Sequence, residues 1–409
     1  METTMATLSE PCIGAMNADT PQIGWLLIAL TYLATAASMG MVGVAAALTA
    51  DLGVAMHVAR NDVGLALAMF SLPSAIGGVF CGGLVDRAGA KRVIVVSAFI
   101  CALGAGFAAW GASLSLLMLA LAISGVGFTG ISVAAPALLV GATTGRRQVR
   151  AMSLWSTYAP TGFAMGLLLA APFAGTGRWQ PAFLIYGAIM LVLFAALMAL
   201  PHVKTAAAPH WKKQLGSFAS VFRERDVILL TVAVAVPSAL SYGTSLIAPS
   251  YLAQVHGTSM GASATTVAAI KGVAMVLCGL MTGALLTRRL NRKLLFAGLA
   301  VLGMVSQGVL FWPGSGFALA SLGLFGWLVA FSGMGAVAMA QLPVVVASPS
   351  RSGAASGLIG QGISVLSFLA PSIYFGMNGW MGFVAIACVG LIVAGLALPI
   401  ARGRRPILS

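Results

Sequence analysis

The chain is organised around one short polar stretch, Gly82-Gly83-Leu84-Val85-Asp86-Arg87-Ala88-Gly89-Ala90-Lys91-Arg92, which lies between two long apolar runs. It brings an acid, several bases and closely spaced glycines together in a protein with only 7% charged residues. Such groups can pair with one another and cap the two helices that they join. The pattern is typical of a conformational latch, with Gly82, Asp86, Arg87, Gly89, Lys91 and Arg92 as its candidate residues. An ordinary basic loop is the alternative.

The composition excludes a soluble globular protein. Hydrophobic residues make up 60% of the 409 residues and the mean hydropathy is +1.01, whereas soluble domains are about 45–50% apolar. A membrane-spanning helix needs about 20 apolar residues, and runs of that size recur along almost the whole chain. They predict twelve spans, approximately 23–49, 62–85, 93–111, 115–140, 151–173, 181–200, 227–252, 264–286, 294–312, 317–346, 354–376 and 380–400.

The net charge of +14 is explained by where the bases lie. If both termini are cytoplasmic, 19 of the 22 lysines and arginines fall on the cytoplasmic side. This bias matches the positive-inside rule and favours cytoplasmic N- and C-termini. A nucleic-acid partner would need one contiguous basic face, so we expect none. The bases in question are Arg87, Lys91, Arg92, Arg146, Arg147, Arg150, Lys204, Lys212, Lys213, Arg223, Arg225, Arg288, Arg289, Arg292, Lys293, Arg351, Arg402, Arg404 and Arg405.

The opening stretch also carries a family resemblance. Its pattern Gly82-x-Leu84-Val85-Asp86-Arg87-x-Gly89-x-Lys91-Arg92 resembles the signature loop between the second and third helices of major facilitator superfamily transporters. The resemblance implies an all-α integral membrane protein with twelve transmembrane helices in two pseudo-symmetric six-helix bundles. It also implies alternating access around a site near the midplane, between the two bundles.

The second half of the sequence repeats the first. The segment from Gly283 to Lys293 is a degenerate copy of the opening stretch, with Thr287 in place of the acid. The pattern that starts at Arg147 before the fifth span returns at Arg351 before the eleventh span, 204 residues later, which is half the chain. We therefore predict a tail at 1–22, bundles at 23–200 and 227–400, a linker at 201–226 and a tail at 401–409, with both tails and the linker cytoplasmic.

The linker has the spacing of an amphipathic helix on the membrane surface. Apolar residues recur at steps of four, three and four among several bases, at Trp211, Leu215, Phe218 and Phe222. This pattern suits an anionic inner leaflet. A disordered linker is the alternative.

Two smaller features carry structural expectations. Asp51 and Asp62 flank the first outer loop, and we expect both in water, with Asp62 at the start of a helix. The stretch from Gly125 to Gly130 resembles a dinucleotide fingerprint only as text, because it lies inside an apolar run with no preceding strand. We expect it to serve close helix packing instead.

Lys271 is the principal candidate for substrate contact. It is the sole charged residue well inside a predicted span, about 6 Å from the midplane at ~1.5 Å rise per residue. A cation at that depth costs at least ~2.5 kcal/mol, so it should face a cavity and meet an anion or a carbonyl. A basic residue in the eighth helix is also similar to the arrangement in carboxylate carriers of the family. Snorkelling toward the outer interface is the alternative.

Four further polar residues are candidates to line the site. In the resembling family the first, fourth, seventh and tenth helices line the cavity, which favours Tyr32, Tyr242 and Gln341; Gln361 on the eleventh span is added as a polar group at membrane depth. Each could instead form an ordinary hydrogen bond between helices.

The acids and histidines all lie in tails, loops or helix ends, so no carboxylate or imidazole is placed as a proton relay at mid-depth. We therefore predict a secondary active or facilitative transporter for a small, carboxylate-type organic anion. A transporter of larger amphipathic compounds, such as drugs or siderophores, is the alternative, because Met, Phe and Trp offer adaptable apolar walls.

Other functions lack supporting motifs. No nucleophile–base pair, metal-ligand spacing or phosphate loop stands out, so we expect no enzyme activity, no cofactor and no metal site. We expect a monomer in the inner (plasma) membrane, with the lipid bilayer and a small molecule as its partners.

Overall fold

The computed structural model describes residues 24–200, 223–287, 291–346 and 349–399. Every regular element in these ranges is a helix. Both predicted tails and the four apolar positions of the predicted linker helix lie outside the described residues, so those predictions stay open.

The N-terminal half is a bundle of helices joined by short connections. Its helices are α1 (Trp25–Ala47), α2 (Thr49–Met56), α3 (Arg60–Met69), α4 (Leu72–Ala88), α5 (Ala90–Trp110), α6 (Leu114–Ala142), α7 (Gly145–Trp155), α8 (Tyr158–Ala170) and α9 (Gln180–Ala199).

The C-terminal half is also a bundle of helices. Its helices are α10 (Arg225–His256), α11 (Met260–Thr287), α12 (Arg292–Phe311), the 3-10 turn Pro313–Ser315, α13 (Gly316–Met339), α14 (Leu342–Val345), α15 (Pro349–Gly376) and α16 (Trp380–Ala397).

All twelve predicted spans fall on helical segments. Within the described ranges, nine helical segments are long and apolar enough to cross a membrane. The second predicted span is a tenth if its two pieces, Arg60–Gly78 and Phe80–Ala88, which are bent by 69°, are counted as one crossing. The eighth predicted span is the 28-residue α11, and the fifth is divided between α7 and α8. The count of twelve crossings stays a prediction.

Hydroxyl side chains explain the interruption between α7 and α8. Ser156 and Thr157 donate to the carbonyls of Ser153 and Leu154, at 2.7 Å each. Serine and threonine that bond to nearby carbonyls in this way compete with the helical pattern and bend the chain. The fifth span is therefore a broken helix.

Contacts near the ends of the helices define the two ends of the bundle. At the end that we call the basic end, Lys91 donates to the carbonyl of Leu200 and Arg147 stacks on the ring of Trp25. At the opposite end, which we call the far end, Asp51 accepts hydrogen bonds from the N–H groups of Gly175 and Gly177, at 2.8 Å each.

The expectation that Asp51 lies in water is wrong. Its side chain is buried, and both of its oxygens are bound by backbone N–H groups in the connection before α9. Gly175 and Gly177 both have positive φ, which turns their N–H groups toward the carboxylate. Asp62 behaves as expected, because it accepts from the N–H of Ala59 at the start of α3.

The glycine-rich stretch of α6 is used for packing, as predicted. A Cβ at Gly127 would lie 2.5 Å from the sulfur of Cys101 and 2.6 Å from the carbonyl oxygen of Ser97, both on α5. Only a glycine lets the two helices approach this closely.

The two halves meet along two seams. In the α4–α15 seam, α3 and α4 pack against α15; in the α8–α11 seam, α8 packs against α11. By span number these are the second with the eleventh and the fifth with the eighth. A two-fold axis between six-helix halves exchanges these two pairs, which is the pattern expected from the sequence repeat.

Candidate functional site

Lys271 lies in the middle of the bundle, on the α8–α11 seam. It follows Met260 by eleven positions, and Ser245 precedes His256 by eleven positions on the neighbouring α10. At ~1.5 Å per residue both lie about 16 Å below the far end, close to the centre of a ~30 Å hydrocarbon core. The mid-membrane depth of Lys271 stays a prediction, and its position along α11 is in keeping with it.

The ammonium group of Lys271 contacts both halves of the molecule. It donates to the hydroxyl of Ser245 at 2.6 Å, within the C-terminal half. It also lies 4.5 Å from the ring centroid of Phe163, on α8 of the N-terminal half. That distance is within the ~6 Å range of a cation–π interaction. With 7% of its surface exposed, Lys271 is buried inside the protein and does not reach an interface.

The charge of Lys271 has no carboxylate partner among the residues that the structure describes. An ammonium group has three N–H donors, and the described contacts give it one hydrogen bond and one ring face. A neutral hydroxyl and an aromatic ring compensate a buried charge only in part. The geometry therefore leaves the ammonium able to bind an anion.

A chain of buried hydrogen bonds holds the backbone beside Ser245. Gln307 of α12 donates to Thr244 at 2.9 Å, Thr244 donates to Tyr374 of α15 at 3.3 Å, and Tyr374 donates to the carbonyl of Leu240 at 3.2 Å. Ser245 itself donates to the carbonyl of Ser241 at 2.6 Å, so a lone pair of its oxygen faces Lys271. This network positions the acceptor for the ammonium.

Tyr242 reaches across to the N-terminal half. Its hydroxyl faces Ser71, at the interruption between α3 and α4, but is outside hydrogen-bond geometry with every described residue. The buried hydroxyl keeps its hydrogen-bonding capacity, and its substrate-binding role stays a prediction.

Tyr32 is occupied within its own half. Its hydroxyl lies 2.9 Å from the hydroxyl of Thr157 and 3.2 Å from that of Thr161, which ties α1 to the broken fifth span. The structure thus gives Tyr32 the interhelical hydrogen bond that was its alternative role, while its contact with a substrate stays a prediction.

The two glutamines lie apart from Lys271. The amide of Gln361 donates to the backbone carbonyl of Ala75 and so joins α15 to α4 across the other seam. Gln341 lies at the end of α13 and accepts from Arg292 at 3.3 Å, at the basic end. Arg292 opens α12, so Gln341 is placed near a helix end and not at mid-depth. A substrate role for either stays a prediction.

The candidate latch forms the connection between α4 and α5. Gly89 has φ +87°, which ends α4 and begins α5 within a single residue. Lys91 is buried and bound to the carbonyl of Leu200, whereas Arg87 and Arg92 are exposed and Asp86 is half-buried. Gly82 lies inside α4. The described Lys91 contact stays within one half, and the latch function is still a prediction.

Sequence reasoning did not single out Phe163 or Ser245. An apolar residue in a membrane span carries no signal for a cation–π partner, because every span is rich in such residues. The run of hydroxyls from Ser238 to Ser245 was the available signal for the acceptor.

A match to a protein-family model shows to which family the chain belongs. The model described as Major Facilitator Superfamily matches residues 28–371. The chain belongs to the major facilitator superfamily. It is accordingly a multi-pass membrane transporter and not an enzyme.

Relatives of the chain differ in the roles that their names give. The chain is 27% identical over 340 residues to multidrug resistance protein MdtL of a Shewanella species, covering 78% of this chain and 79% of that one. It is 22% identical over 374 residues to the sialic acid transporter NanX of Escherichia coli, covering 84% and 88%. A 162-residue match at 28% identity to multidrug resistance protein 2 of Bacillus subtilis covers 40% of each chain.

Solved structures share the fold at low sequence identity. The nucleoside transporter NupG aligns with a TM-score of 0.73 and 16% identity, covering 92% of this chain and 99% of that one. A bacterial homologue of the human lysosomal transporter Spinster aligns at 0.72 with 16% identity, covering 92% and 95%. These likenesses establish the superfamily fold for this chain.

Proposed function

We propose that this transporter moves a small organic anion of the carboxylate type, and that Lys271 binds the anionic group. The observation that carries the proposal is the position of the Lys271 ammonium between Ser245 and Phe163, buried and without a carboxylate among the described residues. A buried cation at membrane depth is retained only when it has a function that offsets its cost. A carboxylate substrate would supply the missing counter-charge and a charge-assisted hydrogen bond.

The same position links substrate binding to conformational change. The Phe163 ring and the Lys271 ammonium belong to opposite halves, so their contact holds the α8–α11 seam together. An anion that binds the ammonium competes with the ring, because the cation interacts with both through the same charge. Substrate binding would thereby weaken one contact of the α8–α11 seam and favour rocking of the halves.

Flux measurements in proteoliposomes test the assignment. A thermal-shift screen of the purified protein against organic acids selects the anion, and counterflow then measures its transport. Loss of a charged hydrogen bond costs about 1.5–3 kcal/mol, so Lys271→Gln should reduce anion flux roughly 10- to 100-fold. Lys271→Arg should retain part of the flux, and Arg178→Gln, which removes an exposed charge at the far end, should retain all of it. Anion flux in Lys271→Gln at the wild-type rate would contradict the proposal.

A second candidate is the export of larger amphipathic compounds. Two relatives are named multidrug resistance proteins, whereas the name of the third specifies an acid. If a lipophilic cation is the substrate, Lys271→Gln should leave its efflux unchanged or increase it, because the variant removes a like charge. The same vesicles with both substrates therefore separate the two candidates.

The latch belongs to the mechanism that we propose. Asp86 and its basic neighbours would stabilise one of the two states by contacts at the basic end, which the positive-inside bias assigns to the cytoplasm. Asp86→Asn should lower the maximal flux more than it changes the substrate concentration at half-maximal flux. An unchanged maximal flux would count against the latch.

A further inference from the structure

A groove of about 370 Å³ opens on the outer surface of the C-terminal half, between α12 and α16. Its walls are apolar and include Phe296, Ala300, Met304, Leu391 and Gly395. Lys293, at the first turn of α12, is the one charged residue among its lining residues. The groove therefore pairs a hydrophobic channel with a single cation at one end.

The groove faces lipid and is separate from the seams. Large apolar side chains around it are exposed, among them Val301 at 58%, Ile392 at 52% and Leu396 at 82%. Neither α12 nor α16 forms part of the α4–α15 seam or the α8–α11 seam. What fills the groove therefore comes from the membrane and not from the substrate pathway between the halves.

The length of the groove matches one leaflet of a bilayer. Lys293 and Met304 are eleven positions apart on α12, or about 16 Å at ~1.5 Å per residue. Half of a ~30 Å hydrocarbon core is about 15 Å. A lipid whose phosphate lies at Lys293 could extend one acyl chain along the groove to the level of Met304.

The charge at the mouth selects the class of lipid. Lys293 is exposed at the basic end, and the start of α12 adds the positive end of a helix dipole. No acidic residue lines the groove. A lysine near the membrane surface contributes about 1 kcal/mol of attraction toward anionic lipid. We propose that the groove is a binding site for an anionic phospholipid, with its phosphate at Lys293 and one acyl chain between α12 and α16.

The chain offers a matched pair of glycines for the test. Gly395 of α16 lines the groove, whereas Gly298 of α12 does not. A Cβ at either position meets open space. Gly395→Leu therefore fills the groove, whereas Gly298→Leu makes the same change at a position of α12 that does not line it. The effect on helix propensity is shared by both variants, so their difference reports on the groove.

Native mass spectrometry and thermal shift with phosphatidylglycerol or phosphatidylcholine measure the site. We expect the wild type and Gly298→Leu to retain several-fold more phosphatidylglycerol than phosphatidylcholine and to be stabilised by it. Gly395→Leu should lose this retention, and Lys293→Gln should bind the two lipids equally. Equal retention of both lipids by the wild type, or an undiminished preference in Gly395→Leu or Lys293→Gln, would overturn the proposal.

Discussion

The two seams between the halves close in the same way but differ in chemistry. At the far end each has a glycine against its partner: a Cβ at Gly64 would lie 2.5 Å from Cβ of Phe375, and one at Gly261 would lie 2.5 Å from the carbonyl oxygen of Ala171. Deeper in the membrane the α4–α15 seam places the amide of Gln361 on a backbone carbonyl, whereas the α8–α11 seam places the ammonium of Lys271 on a ring.

We therefore assign closure of the far end to the glycine contacts and recognition of the substrate to the surroundings of Lys271. In both seams a glycine lets one half approach the other closely. Such a repeated contact is expected where both seams close together during transport. Among the described residues, the charge at mid-depth lies in the α8–α11 seam only. The charge of the α4–α15 seam, Arg60 at 5.6 Å from the ring centroid of Phe375, lies at the far end. We therefore expect variants at the glycines to stop transport of every substrate, and variants around Lys271 to change which substrate is preferred.

The largest effect is expected from filling the glycine contacts. Overpacking costs about 1–3 kcal/mol, so Gly64→Leu and Gly261→Leu should each lower flux roughly 5- to 150-fold, because the seam that carries the variant cannot close at the far end. Counterflow in proteoliposomes measures the effect. Gly106→Leu is the control, because a Cβ there meets open space. A loss in only one of the two variants would break the symmetry of closure.

A smaller effect is expected from the ring of Phe163 in the α8–α11 seam. Cation–π contacts contribute about 0.5–2 kcal/mol, so Phe163→Leu should weaken closure and free the ammonium for the substrate. We expect the half-saturating anion concentration to fall a few-fold while the maximal flux also falls. Phe163→Trp keeps an aromatic face and should remain near the wild type. If Phe163→Leu leaves both constants unchanged, the ring does not compete with the anion.

The smallest effect is expected from the amide of Gln361 in the α4–α15 seam. A hydrogen bond contributes about 0.5–1.5 kcal/mol, so Gln361→Ala should change the maximal flux roughly 2- to 12-fold. The half-saturating concentration should stay the same, since the amide of Gln361 bonds to the backbone of Ala75. A raised half-saturating concentration would instead support the prediction that Gln361 binds substrate.

The fold was largely predictable because lipid imposes strong rules on sequence. Runs of about 20 apolar residues and the latch pattern predicted the all-helical membrane fold and the superfamily. The misplacement of Asp51 has a physical reason: its ligands are backbone N–H groups of Gly175 and Gly177, which lie more than a hundred residues away. Such a contact leaves no local pattern.

In the candidate site, only the charged residue, Lys271, could be predicted from the sequence. A lysine at mid-depth is rare enough to be noticed, so Lys271 was identified from its position alone. Ser245 and Phe163 come from two other helices, one in each half, and their types are common in membrane spans. Gln341 illustrates the opposite case. The tenth span was predicted to run to residue 346, but α13 ends at Met339, so Gln341 lies beyond that helix end beside Arg292.

The most direct test is a comparison of one carboxylate substrate with its uncharged methyl ester, in wild-type protein and in Lys271→Gln. Equilibrium binding to the purified protein gives four dissociation constants, whose double difference isolates the interaction between the ammonium and the carboxylate. If Lys271 binds the anion, the wild type should prefer the acid by roughly 10- to 100-fold, as expected for a charged hydrogen bond, and Lys271→Gln should bind acid and ester alike. An equal preference for the acid in both proteins would contradict the role of Lys271.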